Sequence, residues 1–286
     1  MIGILGPTGQ VGTPLMAALE RAGAPVRALA HTTESARRLA AGNVDVITGD
    51  MRDPADLARF LDGVSTLFLL TPAAPDQTQV QDRIVDAAAA AGTGAIVKLS
   101  VYTAADDSLC SLSRWHAAND QHIERSGLPY TILHPHTFMQ SIALQFAASV
   151  RSAGVMAAAV RPDATITMVD ARDVAEVAAA LLVAGGHHGE TVLITGPQAL
   201  SYPDCAALIG KATGTSVSYV QVPPQQVLDG FLAAGLPGWL AEALVALHQM
   251  YDTGELNPHS DAVTRLTGRP ARTFEDFVHE HAHLFK

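Results

Sequence analysis

The chain has 286 residues, 48% of them hydrophobic and 16% charged, enough to bury one large α/β core or a core plus a smaller lobe. A formal net charge of −10, from 18 basic and 28 acidic residues with no basic run, argues against direct nucleic-acid contact, which needs clustered Lys and Arg. Cys110 and Cys205 lie far apart without metal-ligand spacing, and the richest apolar stretch, 174–184, is too short for a bilayer and contains Glu176, so a soluble cytoplasmic protein is expected.

The first residues already read as a strand, so no targeting segment is expected there. An apolar strand at 2–5 runs into Gly6, Gly9 and Gly12, and a helix over 13–22 closes at Gly23. That order suits a diphosphate. Gly6 makes the sharp turn, Gly9 lets the backbone approach the anion, and Gly12 lets the helix pack on the strand. Thr8, Gln10 and Val11 fill the loop, whose amides face the anion at the helix N-terminus.

Apolar runs at 25–30, 44–48, 66–70, 95–100 and 130–133 then alternate with helical stretches at 35–41, 56–61, 77–91 and 113–126. Near-continuous apolar strands between helices predict a doubly wound parallel Rossmann sheet covered on both faces. Beyond Phe138 the alternation breaks. Runs at 165–169 and 191–195, flanking a helix over 171–184, are expected to return to the sheet. The dinucleotide domain is thus placed at 1–140 plus strands around 165–196. Residues 141–164 and 197–286 are placed in a small, mainly helical substrate lobe over the strand C-termini.

Strand two ends in His31-Thr32, with no Asp or Glu to hold a ribose 2′-hydroxyl or repel a 2′-phosphate. NADP(H) is therefore favoured over NAD(H), with His31, Thr32 and Arg37 or Arg38 as donors. Other strand ends should line the same cleft: Asp50 and Met51 near adenine, Thr71 and Pro72 beside ribose and phosphates, Ser100 and Val101 near nicotinamide. Asp50 and Asp53 also suit plain caps before Pro54.

The runs "ILGPTGQVG", "GDMRDP" (49–54), "IVKLSVYTA" (96–104) and "RWHAANDQHIERSGLPYTILHPHTFMQ" (114–140) resemble the NmrA-like group of atypical short-chain dehydrogenases. So do "MVDARDVAEVAAALL" (168–182), "LITGPQALSYPDCAALI" (193–209) and "LTGRPARTFEDFVHEH", so the likeness spans the chain. It implies an NAD(P)-binding Rossmann domain with a C-terminal substrate lobe. Relatives include NADPH-dependent quinone, azo-dye and triphenylmethane-dye reductases, and others that sense the dinucleotide without turnover. Similar bacterial members usually read L-R-P-N-G-F-M-Q-N where this chain has Leu133-His134-Pro135-His136-Thr137-Phe138-Met139-Gln140-Ser141. The resemblance sets this altered segment beside the nicotinamide.

No tyrosine has a lysine four residues later, so the Tyr-x-x-x-Lys proton-delivery pair is missing. Hydride transfer to a flat, electron-poor aromatic or quinone-like acceptor remains, because delocalisation makes the product accessible once donor and acceptor stack. Candidates to assist are Tyr102, His134, His136 and His116, the last with Asp120 at i+4 to orient it. His134 and His136 are expected to point to one side, with Phe138 and Met139 forming an apolar wall. The alternatives are a dinucleotide-sensing regulator and a tailoring reductase for one metabolite. The 279–283 histidines lack a third ligand, so no metal is expected, and the protein is expected to be a monomer or homodimer.

Overall fold

The computed structural model describes every residue except Ala41, Asn43, His187, Gly254 and Glu255, so the expected helix end at Ala41 and turn at His187 lie outside the described residues. The first half alternates strictly: β1 (Ile2–Ile4), α1 (Gly12–Arg21), β2 (Val26–Ala30), α2 (Thr33–Leu39), β3 (Val44–Thr48), α3 (Pro54–Leu61), β4 (Thr66–Leu69), α4 (Gln77–Ala90), β5 (Ala95–Leu99), α5 (Ser111–Arg125) and β6 (Tyr130–Pro135). Local chemistry sets the joints. Asp53 caps α3 by accepting from the Ala55 and Asp56 amides, with Pro54 in the first turn where its missing N–H costs nothing.

The second half contains α6 (Met139–Ala153), β7 (Val155–Ala158), β8 (Thr165–Ile166), α7 (Ala171–Ala184), β9 (Glu190–Ile194), β10 (Leu200–Ser201), α8 (Tyr202–Thr213), β11 (Ser218–Gln221), α9 (Pro224–Ala233), α10 (Gly238–Tyr251), α11 (Ala262–Thr267) and α12 (Phe274–Glu280). A seven-stranded sheet runs β3-β2-β1-β4-β5-β6-β9. Every adjacent pair in it is parallel. The chain reverses its direction of winding between β1 and β4, which opens a crevice at the carboxyl ends of the strands.

Two cores cover the sheet. Ile4, Leu15, Leu19, Val97, Val174 and Ala178 fill one face, where α1 meets α7. Leu5, Phe60, Leu67, Val80, Ile84 and Ile123 fill the other. A third core, built on Phe146, Met156, Ile166, Tyr202, Ile209 and Phe277, belongs to the lobe.

Two expectations are corrected. The run at 165–169 does not return to the central sheet: only Thr165–Ile166 is strand, and it pairs antiparallel with Leu200–Ser201 in the lobe. Its residues Ile166 and Met168 are buried against α6 and α8, so the lobe core outcompetes the sheet edge, which β9 occupies. Conversely, Ala262 and Val263 of α11 are buried against the α7 side of the Rossmann core, so 197–286 is not all lobe. Residues 139–153, placed from 141 on in a mainly helical lobe, form one long helix.

Candidate active site

The glycine loop has the geometry of an anion cradle. At Gly6 the backbone is left-handed (φ 68°), and an added Cβ would lie 3.0 Å from the Leu70 carbonyl oxygen. At Gly12 an added Cβ would lie 1.9 Å from the Gly6 carbonyl oxygen, so α1 can seat on the loop only without a side chain there. Gly9 differs: a Cβ would meet only the Gly6 oxygen, at 3.4 Å, and otherwise face open space. The first turn of α1 has no side-chain cap and no acidic residue, so its dipole faces that space unopposed. Thr8 and Gln10 are exposed beside it, whereas the Val11 side chain is buried in the core and only its backbone can meet a ligand.

An adjoining cleft holds about 840 Å³ of empty space, solvent included, bounded by Gly6, Thr8, His31, Thr32, Asp50, Met51 and Pro72. Those expected positions are brought together. Pro7, Ser35, Arg38 and Arg52 join them, and of the two arginines weighed for the 2′-phosphate it is Arg38, not Arg37, that reaches the cleft. Arg38 has no carboxylate partner among the described residues, while Arg52 is clamped on Asp76 at 2.9 and 3.0 Å. Thr32 Oγ1 accepts from the Ser35 amide as the cap of α2, and Asp50 Oδ1 accepts from the Arg52 amide at 2.9 Å. Thr71 is buried with its hydroxyl accepting from Gln81 Nε2 at 2.7 Å, so its side chain supports the floor instead of facing the cleft.

Further along the same strand ends, after β5 and β6, lies a second cavity. Val101, Tyr102, Thr103, Pro135, His136, Thr137, Phe138 and Ser141 line it, and Leu247 of α10 closes it from the lobe. Among the described residues, no Lys, Arg, Asp or Glu lines it. Tyr102 stacks on His136 with ring centroids 5.3 Å apart and 24° between planes, and its hydroxyl has no partner among the described residues. Ser100, expected here, sends its hydroxyl the other way, donating to Asp120 at 2.6 Å. Met139 is a correction: it is fully buried in the lobe core, so of the two only Phe138 reaches the cavity, where Val101, Pro135 and Leu247 complete the apolar wall.

The histidines separate. His136 Nε2–H donates to the Leu256 carbonyl at 3.0 Å, and its Nδ1 accepts from the Thr137 amide at 2.7 Å. Both nitrogens are spent, and burial pushes the ring down to about 4, so His136 is a neutral stacking surface and not the proton donor expected of it. His134 does not share its cavity; it lines another with Ala104, Gln121 and Thr191 and donates to Asp120 Oδ2 at 3.1 Å. The side chains diverge because the chain leaves the strand at Pro135.

Asp120 consequently does not orient His116. It sits in a buried network with Lys98 Nζ, Ser100 and His134. Burial pushes its carboxyl up, but hydrogen bonds from His134, Lys98 and Ser100, together with the Lys98 charge, hold it below the usual range. His116 faces Gln77 at 3.5 Å, its Nδ1 is buried without a partner among the described residues, and burial drives it down to about 3. It touches neither cavity. Sequence reasoning missed Thr137, Ser141 and Leu247. Thr137 and Ser141 were legible as departures in the altered segment, but Leu247 carried no signal.

The comparisons agree with this architecture. The model of the NmrA-like family matches residues 1–278. The chain is 35% identical to the NAD(P)H azoreductase of Xenophilus azovorans over 285 residues, covering 100% of this chain and 99% of that one. It is 36% identical over 288 residues to the (4-alkanoyl-5-oxo-2,5-dihydrofuran-3-yl)methyl phosphate reductase of Streptomyces griseus, covering 100% and 99%. Among solved structures, the NADPH-dependent quinone oxidoreductase of Escherichia coli complexed with NADPH matches with a TM-score of 0.90 at 27% identity, covering 100% of both chains. A family model matched over residues 1–278, on a chain that carries a glycine cradle, a cleft and a ring-lined cavity along the strand ends, identifies this protein as a member of the NmrA-like family.

Proposed function

We propose that the protein is an NADPH-dependent reductase of a small, uncharged, flat acceptor of the quinone type. The observation that carries the reading is the pairing of an open glycine cradle at Gly9 with a ring-lined cavity, free of charged side chains among the described residues, two strands away along the same edge. The diphosphate would lie over the amides of residues 9–12 and the adenosine end in the cleft, with Arg38, His31 and Thr32 around the 2′-phosphate. The residues present fit the dinucleotide. The azoreductase and quinone oxidoreductase names of relatives support the reaction class.

When bound, the reduced nicotinamide supplies a hydride, and the chain supplies the rest. Phe138, Tyr102 and His136 hold the acceptor flat, while Leu247 and Pro135 exclude water. The electron pair displaced from the acceptor carbonyl collects on its oxygen, which takes a proton from the Tyr102 hydroxyl; solvent then restores the phenol. No Lys or Arg among the described residues lines the cavity, which disfavours a phosphorylated substrate.

The test is steady-state oxidation of NADPH by neutral quinones, with fluorescence titration of NADPH and NADH. Turnover with a preference for NADPH is expected, and Tyr102→Phe should lower kcat about tenfold or more while leaving the NADPH Kd unchanged. Tight NADPH binding with no oxidation by any acceptor overturns the reading in favour of a sensor.

A further inference from the structure

The roof of the second cavity contains a pair of hydroxyls that the reading above does not use. Tyr251, the last residue of α10, is fully buried, and its hydroxyl meets Thr137 Oγ1 directly. Thr137 itself lines the cavity beside His136 and Phe138. Tyr251 is also the third ring of a stack, 6.5 Å from His136, which in turn lies 5.3 Å from Tyr102.

The direction of that hydrogen bond follows from counting donors. A phenol has one hydrogen, and a buried one without an acceptor costs free energy comparable to a lost hydrogen bond. Among the described residues, Thr137 Oγ1 is the partner recorded for the Tyr251 hydroxyl. Burial keeps the phenol protonated by pushing its pKa up, so it has a hydrogen to place at any working pH. With Tyr251 donating, Thr137 Oγ1 is the acceptor, and the threonine's own hydrogen is released for a second partner. A hydroxyl that accepts one hydrogen bond is a stronger donor of the next.

We propose that Thr137, primed by Tyr251, donates a hydrogen bond to a carbonyl oxygen of the acceptor. The bond strengthens as negative charge collects on that oxygen, which is where a donor gains most. Thr137 touches the acceptor; Tyr251 is a positioning residue that acts through it. The inference selects a carbonyl-bearing acceptor within the proposed class, and it rests on that reading only for the placement of the acceptor. It also gives α10 a role beyond covering the cavity. The helix brings Leu247 to the wall and, one turn later, Tyr251 to the donor, while His248 between them is tied to Gln145 at 3.2 Å.

The experiment reads binding and turnover separately, with folding checked by the melting temperature of each variant. The probe is tetramethyl-p-benzoquinone, which has no free ring position for thiol addition, titrated calorimetrically into protein loaded with NADP⁺. Tetramethylbenzene, of similar shape without oxygens, is the control. Thr137→Val should weaken quinone binding about fivefold to tenfold and lower kcat with NADPH about tenfold to a hundredfold, with tetramethylbenzene binding unchanged. Thr137→Ser should restore both within about twofold, because it keeps the hydroxyl. Tyr251→Phe should give an intermediate loss, and the double variant Thr137→Val/Tyr251→Phe should be no worse than Thr137→Val alone, the signature of one coupled unit. Quinone binding by Thr137→Val equal to wild type overturns the inference, as does a Tyr251→Phe loss that persists undiminished in the Thr137→Val background. Wild-type protein that binds the quinone but never oxidises NADPH with it overturns the proposed reaction, while the binding cycle still decides the role of Thr137. Wild-type protein that binds no quinone overturns both.

Discussion

Gly9 and Gly12 stand three residues apart and make opposite predictions. In Gly12→Ala the new Cβ would fall 1.9 Å from the Gly6 carbonyl oxygen and 2.8 Å from the Pro7 carbonyl carbon. Both neighbours are backbone, so an overlap of about 1.5 Å against a normal contact can be relieved only by shifting the first turn of α1 off the loop. Overpacking of that kind costs about 3 kcal/mol, and better helix propensity returns about 1 kcal/mol. The net loss of about 2 kcal/mol should lower Tm by about 4–6 °C. In Gly9→Ala the nearest neighbour of the Cβ is 3.4 Å away and the backbone is not left-handed, so Tm should stay within about 1 °C of wild type. The methyl instead occupies the space over which the diphosphate would lie. Loss of one charge-assisted amide contact, about 1.5–3 kcal/mol, raises the NADPH Kd about tenfold to a hundredfold. Scanning calorimetry and a fluorescence titration on the same preparations read both effects. A Gly9→Ala variant that binds NADPH as tightly as wild type refutes the cradle; a Gly12→Ala variant as stable as wild type refutes the packing argument.

Arg38 lines the cleft without a carboxylate partner, so Arg38→Ala should weaken NADPH about tenfold and leave NADH unchanged, as titration of both coenzymes would read; equal losses would place the arginine away from the 2′-phosphate. Burial holds His116 at about 3 and His136 and His248 at about 4, below the ordinary value of 6.5. The unfolded chain therefore takes up protons that the folded one refuses; the stability is complete above pH 6.5 and is lost as pH falls towards 4, by about 1.4 kcal/mol per group and pH unit. A Tm that stays flat between pH 6.5 and 4.5 would contradict this. Lys98→Met strands the Asp120 carboxylate beneath β5 and should cost about 3 kcal/mol, read as a lowered denaturation midpoint in urea. Asp120→Asn in that background should recover part of the loss by removing the stranded charge.

Much of the Rossmann half was legible because its evidence is local. A strand buried on both faces must be apolar along its length, so the run at 66–70 announced β4; the β-branched run at 44–48 announced the edge strand β3, and caps such as Asp53 with Pro54 marked a helix start. The glycine loop was legible for the same reason: Gly6 and Gly12 are demanded by a turn and a contact within a few residues of chain. Helix α6 was not, because its inward face is decided by the lobe, and Met139 reads the same whether it faces a ligand or a core. The run at 165–169 carried a strand pattern but no information on which sheet would claim it.

The second cavity was beyond reach in a more basic way. Alternation along a strand put His134 and His136 on one side, but the chain leaves β6 at Pro135, and their rings went to different partners, Asp120 and the Leu256 carbonyl. The sequence by itself determined the parallel sheet, the tight glycine turn after β1 and the absence of an acid at the end of β2, because periodicity, backbone conformation and residue identity are properties of neighbouring residues. Only the tertiary structure decided which side chains share a cavity, that Leu247 and Tyr251 arrive there from more than a hundred residues downstream of His136, and that a histidine has no proton to offer. Hydrogen-bond partners and desolvation are set by whatever packs alongside, and one-dimensional order does not record it.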